Sequence, residues 1–490
     1  MGAPQRYRQA GAVRCIVVIM RKPISCLRNS QQNNGCHPER TGLQALFSLG
    51  VVSRRICICF SNNCGGATLL AFTLSICICA SLAATAQQAP STPVVLHAAR
   101  LLQVDTGVLL RPGEILVEGE SIRAVGNTVD HPQDAKVIDL GDTTLLPGFI
   151  DAHVHLFLHP GAEDLQTVEE SVPWRTILAE QAAKADLIAG FTAERDMGTE
   201  GAGSADSAIR DAIDQGLIPG PRLRISGNAI DILGGHEDAN HFNPAQRVLS
   251  NADYANSAEQ LVEVIREQHK QGSSFVKIYE TGPDKMIDGV LHTPYQYTEG
   301  QLAAAVVEAH RLRMTVGVHA MGEPGTFYAA QAGVASIDHA TQLSDETMRL
   351  MREKDIPAVP TFAIFDYFAH HRESQDGAAR EAAMLNYKIG EFKKQIAAGI
   401  PFAVGSDVGP FPHGTQAVEM ELMVRYGMKP LAVLQADMIE GAKVLGWEGQ
   451  IGELKPGYYA DIVAVPGNPL DDITMVEHVV FVMKGGAVVR

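Results

Sequence analysis

Cysteine is missing from most of this chain. All eight cysteines fall within the first 86 residues, and the 404 residues that follow contain none. Without a thiol, that body cannot use a Cys nucleophile, an iron–sulfur site, a Cys-ligated zinc or a disulfide framework. Positive charge is also scarce there: residues 87–490 carry 31 Lys/Arg against 55 Asp/Glu, a formal charge of −24. Such a surface repels phosphate backbones and anionic bilayers, which excludes nucleic-acid and lipid-surface partners. A long apolar run is lacking as well. The stretch Ala67 to Ala80 is short against the ~20 residues a spanning helix needs. It follows Arg54 and Arg55 and leads into Ala83-Ala84-Thr85-Ala86, the pattern of a secretory signal cut after Ala86, with a retained membrane anchor as the alternative. Residues 1–50 exceed the roughly 15–30 residues of such a signal, and a start at Val51 or Val52 would account for them. The mature chain is then expected outside the cytoplasm, secreted or periplasmic, with no stable membrane association.

What remains, 46% apolar and 20% charged over the whole chain, is globular rather than disordered. From Pro93 it reads as short β segments, Val94–Ala98, Gly113–Glu118 and Ser121–Val125. A second set closes the chain: Asp461–Val465, His478–Met483 and Ala487–Val489, the last two joined through Gly485-Gly486 as a hairpin. Neither set is long enough for a core of its own. The expectation is that residues 87–147 and 447–490 pair into one small β-sandwich, leaving residues 148–446 as a separate unit.

That middle unit alternates. Short apolar runs ending in polar residues occur at Gly148–His153, Thr192–Asp196, Arg222–Ser226, Phe275–Tyr279, Met314–His319, Ser336–His339, Pro357–Thr361 and Phe402–Asp407. Amphipathic stretches such as Gln301–Arg311 and Ala378–Gly399 lie between them. Eight strand–helix steps in about 300 residues suit a (β/α)8 TIM barrel, somewhat above its typical ~250. An open doubly wound sheet is the other reading, but it would not gather polar residues from the ends of all its strands at one place.

Those strand ends carry the chemistry. His153 and His155 form an H-x-H, and residues i and i+2 of an extended chain face the same side, so both imidazoles can meet one ion. Two such histidines are as often a surface or core pair. His319, His339 and Asp407 each close a further apolar run, and imidazole with carboxylate suits zinc, with manganese, iron, nickel and cobalt not excluded. Lys277 lies within Phe275-Val276-Lys277-Ile278-Tyr279, where it either snorkels to water on the outer face or points inward at the penalty of an unpaired buried charge.

The set Pro147-Gly148-Phe149-Ile150-Asp151-Ala152-His153-Val154-His155, Lys277, His319, His339 and Asp407 resembles the amidohydrolase superfamily. It is most similar to the imidazolonepropionase-like branch with its Xaa-Pro dipeptidases and ochratoxin-degrading enzymes. Arg195-Asp196-Met197-Gly198, the loop Leu233-Gly234-Gly235-His236 and Leu454-Lys455-Pro456-Gly457-Tyr458-Tyr459-Ala460-Asp461-Ile462-Val463 extend the likeness over essentially the whole mature chain. Met438 and Glu440 depart from it, standing where the family more often has Thr and Asn, which leaves the local hydrogen bonding of the last helix open.

The resemblance implies a site with two divalent ions. His153, His155 and Asp407 would hold one, His319 and His339 the other, and Lys277, as a carbamate formed with CO2, would bridge both. A carbamate is anionic, so it can lie between cations where an ammonium would be repelled. Two ions sharing a water lower its pKa toward neutrality, which gives a hydroxide for attack on an amide carbonyl. Asp407 would take the proton and pass it to the leaving amine. Tyr279 shares the strand face of Lys277 and, with His236, is expected to contact the substrate. His413 is a candidate at the pocket mouth. His241, His269, His310, His370 and His371 carry no distinguishing spacing.

The activity this implies is hydrolysis of the amide bond of an N-acyl amino acid or dipeptide, of Xaa-Pro or ochratoxin A type. A cyclic amidohydrolase acting on an imidazolone- or hydantoin-like ring, and a non-catalytic metal-binding barrel, are the alternatives. A glycosidase-like barrel would need paired carboxylates without the histidine cluster. The partners implied are a small amide substrate and, as is common for such barrels, further copies of the chain.

Overall fold

The computed structural model describes residues 92–490 apart from 239–241, 244 and 372–374. The leader, its signal and the alternative starts lie outside the described residues, as does His241.

Both chain ends build sheet. Strand Val94–Ala98 lies between Gly113–Glu118, antiparallel, and Lys136–Asp139, parallel, with Ser121–Gly126 on the far side of Gly113–Glu118. A six-stranded sheet then runs Ala487–Val488, Phe481–Lys484, Ile462–Pro466, Thr143–Pro147, Arg100–Gln103, Val108–Leu110. At its centre the C-terminal Ile462–Pro466 pairs antiparallel with Thr143–Pro147, Val463 opposite Leu146. Leu96, Ile115 and Val117 of the first sheet share one hydrophobic cluster with Leu145, Ile462, Phe481 and Met483 of the second. The expected hairpin forms across Gly485 and Gly486, both at positive φ (53° and 74°), as a two-residue turn requires. Its first strand begins at Phe481 rather than at His478, because residues 473–477 wind into a 3-10 turn started by the Asp472 carboxylate on the Thr474 N–H. Thr143–Pro147, buried throughout, has no polar alternation to mark it in the sequence.

The middle region alternates as read. Phe149–Val154, Phe191–Asp196 and Arg222–Ile225 are neighbouring parallel strands. Ala229–Asp231, Val276–Tyr279, Val316–Ala320, Ser336–His339 and Ala358–Val359 form a second parallel run. The Ile225 carbonyl accepts from the Ser274 and Phe275 N–H groups and links the two runs. Helices Val172–Ala189, Ala205–Asp214, Ala258–Gln271, Glu299–Arg311, Gly325–Ala332 and Gln375–Ala398 lie between strands in sequence. Glu299–Arg311 shows why: a Thr298/Gln301 capping box starts it, Leu302, Ala305, Val306 and Ala309 form its buried stripe, and His310 and Arg311 stand in its last turn.

One expected strand differs. Residues 402–407 make no regular strand, only single bridges from Phe402 to Ala358 and from Val408 to Val154. Asp407 has φ 62°, and the Asp151 carboxylate takes both the Ser406 N–H and its hydroxyl, so the backbone turns away from a ladder. The segment still lies beside Phe149–Val154: Ala152 N–H reaches Val404 O at 3.0 Å and Asp407 N–H reaches His153 O at 2.8 Å. Where Met438 and Glu440 depart from the family pattern, residues 436–440 wind as a π-helical turn that buries Asp437. No helix among the described residues is long and apolar enough to cross a membrane.

Candidate metal centre

Strand Phe149–Val154 delivers His153, and His155 follows it; both rings are buried. Their Nε2 atoms lie 3.3 Å apart. Asp407 Oδ1 stands 3.4 Å from the first and 3.3 Å from the second. Three ligand atoms converge there, a spacing that a shared cation satisfies better than the few available protons do. His319 and His339, from the ends of neighbouring strands, lie with ring centroids 4.4 Å apart, and His339 is 5.1 Å from His153.

The second nitrogen of each ring faces a polar neighbour. His153 Nδ1 faces Asp338 Oδ1 at 3.4 Å, and His155 Nδ1 faces Gly198 O at 3.2 Å and Glu200 Oε1 at 3.1 Å. His319 Nε2 meets Asp284 Oδ2 at 2.9 Å, and His339 Nδ1 meets Thr361 Oγ1 at 2.8 Å. Outer partners of this kind fix tautomer and orientation in metal-ligating histidines. Ligand atoms within 4.8 Å of one another occur in two groups, His153 with His339 and Asp407, and His236 with Asp284 and His319.

Lys277, on strand Val276–Tyr279, is fully buried, and its Nζ has no hydrogen-bond partner among the described residues. Burial pulls its pKa down against the opposing pull of Asp338, Asp407 and Glu200. An unpaired ammonium is unfavourable in this place, and the imidazole and carboxylate donors gathered around it fit a divalent cation. Burial, then the charge of Lys277, drops His319 to about 3, and burial with the charge of His319 does the same to His236. Both are neutral at pH 7, the form that binds metal. Burial alone would raise Asp407, but His153 and His155 hold it well below the usual carboxylate range.

Backbone strain collects at the same place. His339 (φ 68°), Ala340 (40°), Thr361 (54°) and Asp407 (62°) all occupy the left-handed region without being glycine. Such residues cost roughly 1–3 kcal/mol each and persist where the surroundings over-determine them.

A cavity of about 250 Å3 opens over the cluster and is lined by His153, His155, His236, Lys277, Tyr279, His319, His339 and Asp407 together. His236 stacks on Tyr279, centroids 4.9 Å apart and planes 10° apart. Gly282, at φ 143°, makes room for it, since a Cβ there would stand 2.5 Å from His236 Nδ1. Leu158, Met321, Ile364, Phe365 and Met384 give the cavity an apolar side. His413 is not among the lining residues. Its Nδ1 sits 2.8 Å from Asp186 Oδ2 and the next N–H, of Gly414, also goes to Asp186, so the ring is turned toward helix Val172–Ala189. Sequence reasoning missed Glu200, Asp284 and Asp338. Asp338 had a signal, standing beside His339 in Ser336-Ile337-Asp338-His339; Asp284 and Glu200 sit in loops with no spacing to mark them.

The amidohydrolase family profile matches residues 144–489. An ochratoxinase of Aspergillus niger is 28% identical over 426 residues, 80% of this chain and 85% of its own. The imidazolonepropionase of Geobacillus kaustophilus is 25% identical over 413 residues, covering 79% and 91%. A crystal structure of a Xaa-Pro dipeptidase with methionine bound in the active site aligns with TM-score 0.74 at 29% identity, over 81% of this chain and 100% of that one. The fold and site therefore define a hydrolase of amide bonds built on a TIM-barrel-like α/β domain. The chain belongs to the amidohydrolase family, in the branch that holds these three relatives.

Proposed function

We propose that the protein is a secreted, binuclear metal-dependent amidohydrolase that cleaves the amide bond of N-acyl amino acids or dipeptides, of Xaa-Pro or ochratoxin A type. The observation that carries this reading is the meeting of His153 Nε2, His155 Nε2 and Asp407 Oδ1 within 3.4 Å, beside a buried Lys277 whose Nζ has no hydrogen-bond partner among the described residues. His153, His155 and Asp407 would hold one ion, His319 and His339 the second, and a carbamate on Lys277 both; the N/O donor set favours zinc. When bound, such ions acidify water toward neutral pH and polarise a carbonyl.

The chain's own groups do the rest. Asp407, ionised at neutral pH, accepts the proton of the attacking water and hands it to the departing amide nitrogen, so one C–N bond breaks as one C–O bond forms. Tyr279 and His236, stacked against each other, orient the substrate. Both rings line the cavity, and the stacking fixes one against the other. Leu158, Phe365 and Met384 shield the reacting centre from water and receive an apolar side chain. The strand pairings support a closed eight-stranded barrel whose last member is the irregular 402–408 segment. The cluster shared by the two terminal sheets supports a β-sandwich beside it.

The test is metal analysis of purified mature protein together with hydrolysis of a panel holding Xaa-Pro dipeptides, dipeptides with C-terminal Phe, and ochratoxin A. Two equivalents of metal and cleavage of members of the panel are expected. Activity on esters alone would redirect the assignment.

A further inference from the structure

Strand Ser336–His339 ends in two consecutive left-handed residues, His339 and Ala340, neither of them glycine. Their carbonyls are both taken up by one helix. From Gln375–Ala398, Lys388 Nζ donates to His339 O at 2.5 Å and to Thr341 Oγ1 at 3.1 Å. Gln395 Nε2 donates to Ala340 O at 2.7 Å and to Thr341 O at 3.3 Å. The two residues are seven apart, about two helical turns, and so share a face. Each is at least 96% buried: Lys388 is 2% exposed and Gln395 4%.

Lys388 is an unusual choice for that task. Among the described residues it makes no ion pair; Phe365 and Phe362 lie with ring centroids 4.7 and 5.4 Å from its ammonium. Burying an amine on a carbonyl, a hydroxyl and ring faces carries a stability penalty, and the oxygen it serves belongs to His339. The same imidazole is fixed at its other end by Thr361, so ring and carbonyl are both tied. We propose that Lys388 and Gln395 are positioning residues, a clamp from helix Gln375–Ala398 that holds the turn at His339–Thr341 in its strained conformation and so keeps the His339 ring on the metal centre.

The proposal rests on His339 being a metal ligand, so its test reads the metal rather than turnover. Metal-free protein is titrated with Co2+ and followed by its visible d–d absorption, with circular dichroism to verify the fold. Compared are the unsubstituted chain, Lys388→Met, Gln395→Leu and, as a control on the exposed face of the same helix, Lys394→Ala. Loss of groups that orient metal ligands weakens affinity by about 10–100-fold. Lys388→Met is expected to lose affinity for one of two Co2+ ions on that scale and to change its spectrum. Gln395→Leu should shift the same way by less, and Lys394→Ala should bind both ions normally. Gln395→Leu carries the test if Lys388→Met fails to fold. Normal Co2+ affinity and spectrum in folded Lys388→Met and Gln395→Leu would overturn the clamp while leaving the metal reading intact. No Co2+ bound by the unsubstituted chain would overturn both.

Discussion

Lys277 tests the chemistry most directly at the level of a single side chain. Its full burial without a hydrogen-bond partner among the described residues is unfavourable for an ammonium and favourable for a carbamate between cations. Lys277→Ala is expected to lower bound metal and to abolish turnover, with partial recovery on adding short carboxylic acids; full activity in that variant would place the lysine outside the site. His413 yields a prediction of a different sort. Burial pushes its pKa down, but the charge and hydrogen bond of Asp186 outweigh this and raise it above 6.5. A raised pKa means that the folded chain holds the proton more tightly, so the pairing adds stability below the unfolded value of about 6.5 and loses it as pH climbs through the folded value. Melting temperature should fall over that window, and His413→Gln should flatten the fall in a pH series of thermal melts. His153, His155, His319, His339 and Asp407 were legible because each closes or follows an apolar run. The carboxylates behind them were not, since Glu200 and Asp284 come from loops and reach the histidines only through the tertiary fold.

Among the elements, the segment 402–408 shows where pattern reading fails and why. Its apolar run looks like a strand, yet Asp151 claims the Ser406 N–H and hydroxyl, and Asp407 turns left-handed to aim its carboxylate at His153 and His155. Gly405 makes the approach feasible: a Cβ there would sit 2.4 Å from Val359 Cγ1 and 3.0 Å from the His153 backbone nitrogen. Gly405→Ala is therefore expected to destabilise the fold by about 1–3 kcal/mol and to displace Asp407 from the histidines, read as a lower melting temperature and weaker metal retention. Were that variant to keep both properties, the close packing of this segment would not be what aims the carboxylate. The helices were easier to read. Glu299–Arg311 announces itself by its caps and its 3.6-residue stripe, whereas Thr143–Pro147 and Arg100–Gln103 are short and lack the alternation that marks a half-exposed strand.

For the molecule as a whole, the proposed metal centre predicts that metal and fold are coupled. Ions that bind only the folded chain stabilise it by mass action, so chelation should lower the melting temperature and re-addition of zinc should restore it. The terminal sheets couple the chain ends in the same way. Arg222, on a strand of the middle region, pairs with Asp461 at 2.7 Å, and Lys484 Nζ donates to Gly220 O at 2.6 Å. A chain ended at residue 446 would strip three strands from the six-stranded sheet and leave Leu145 and Ile115 open to water. It should be recovered insoluble, as a solubility assay against the full chain would show. Because Thr144 finds its partner Gly467 only 323 positions later, the ribosome must release nearly the entire polypeptide before the six-stranded sheet can close. Until then its strand edges lie bare and invite a holding chaperone.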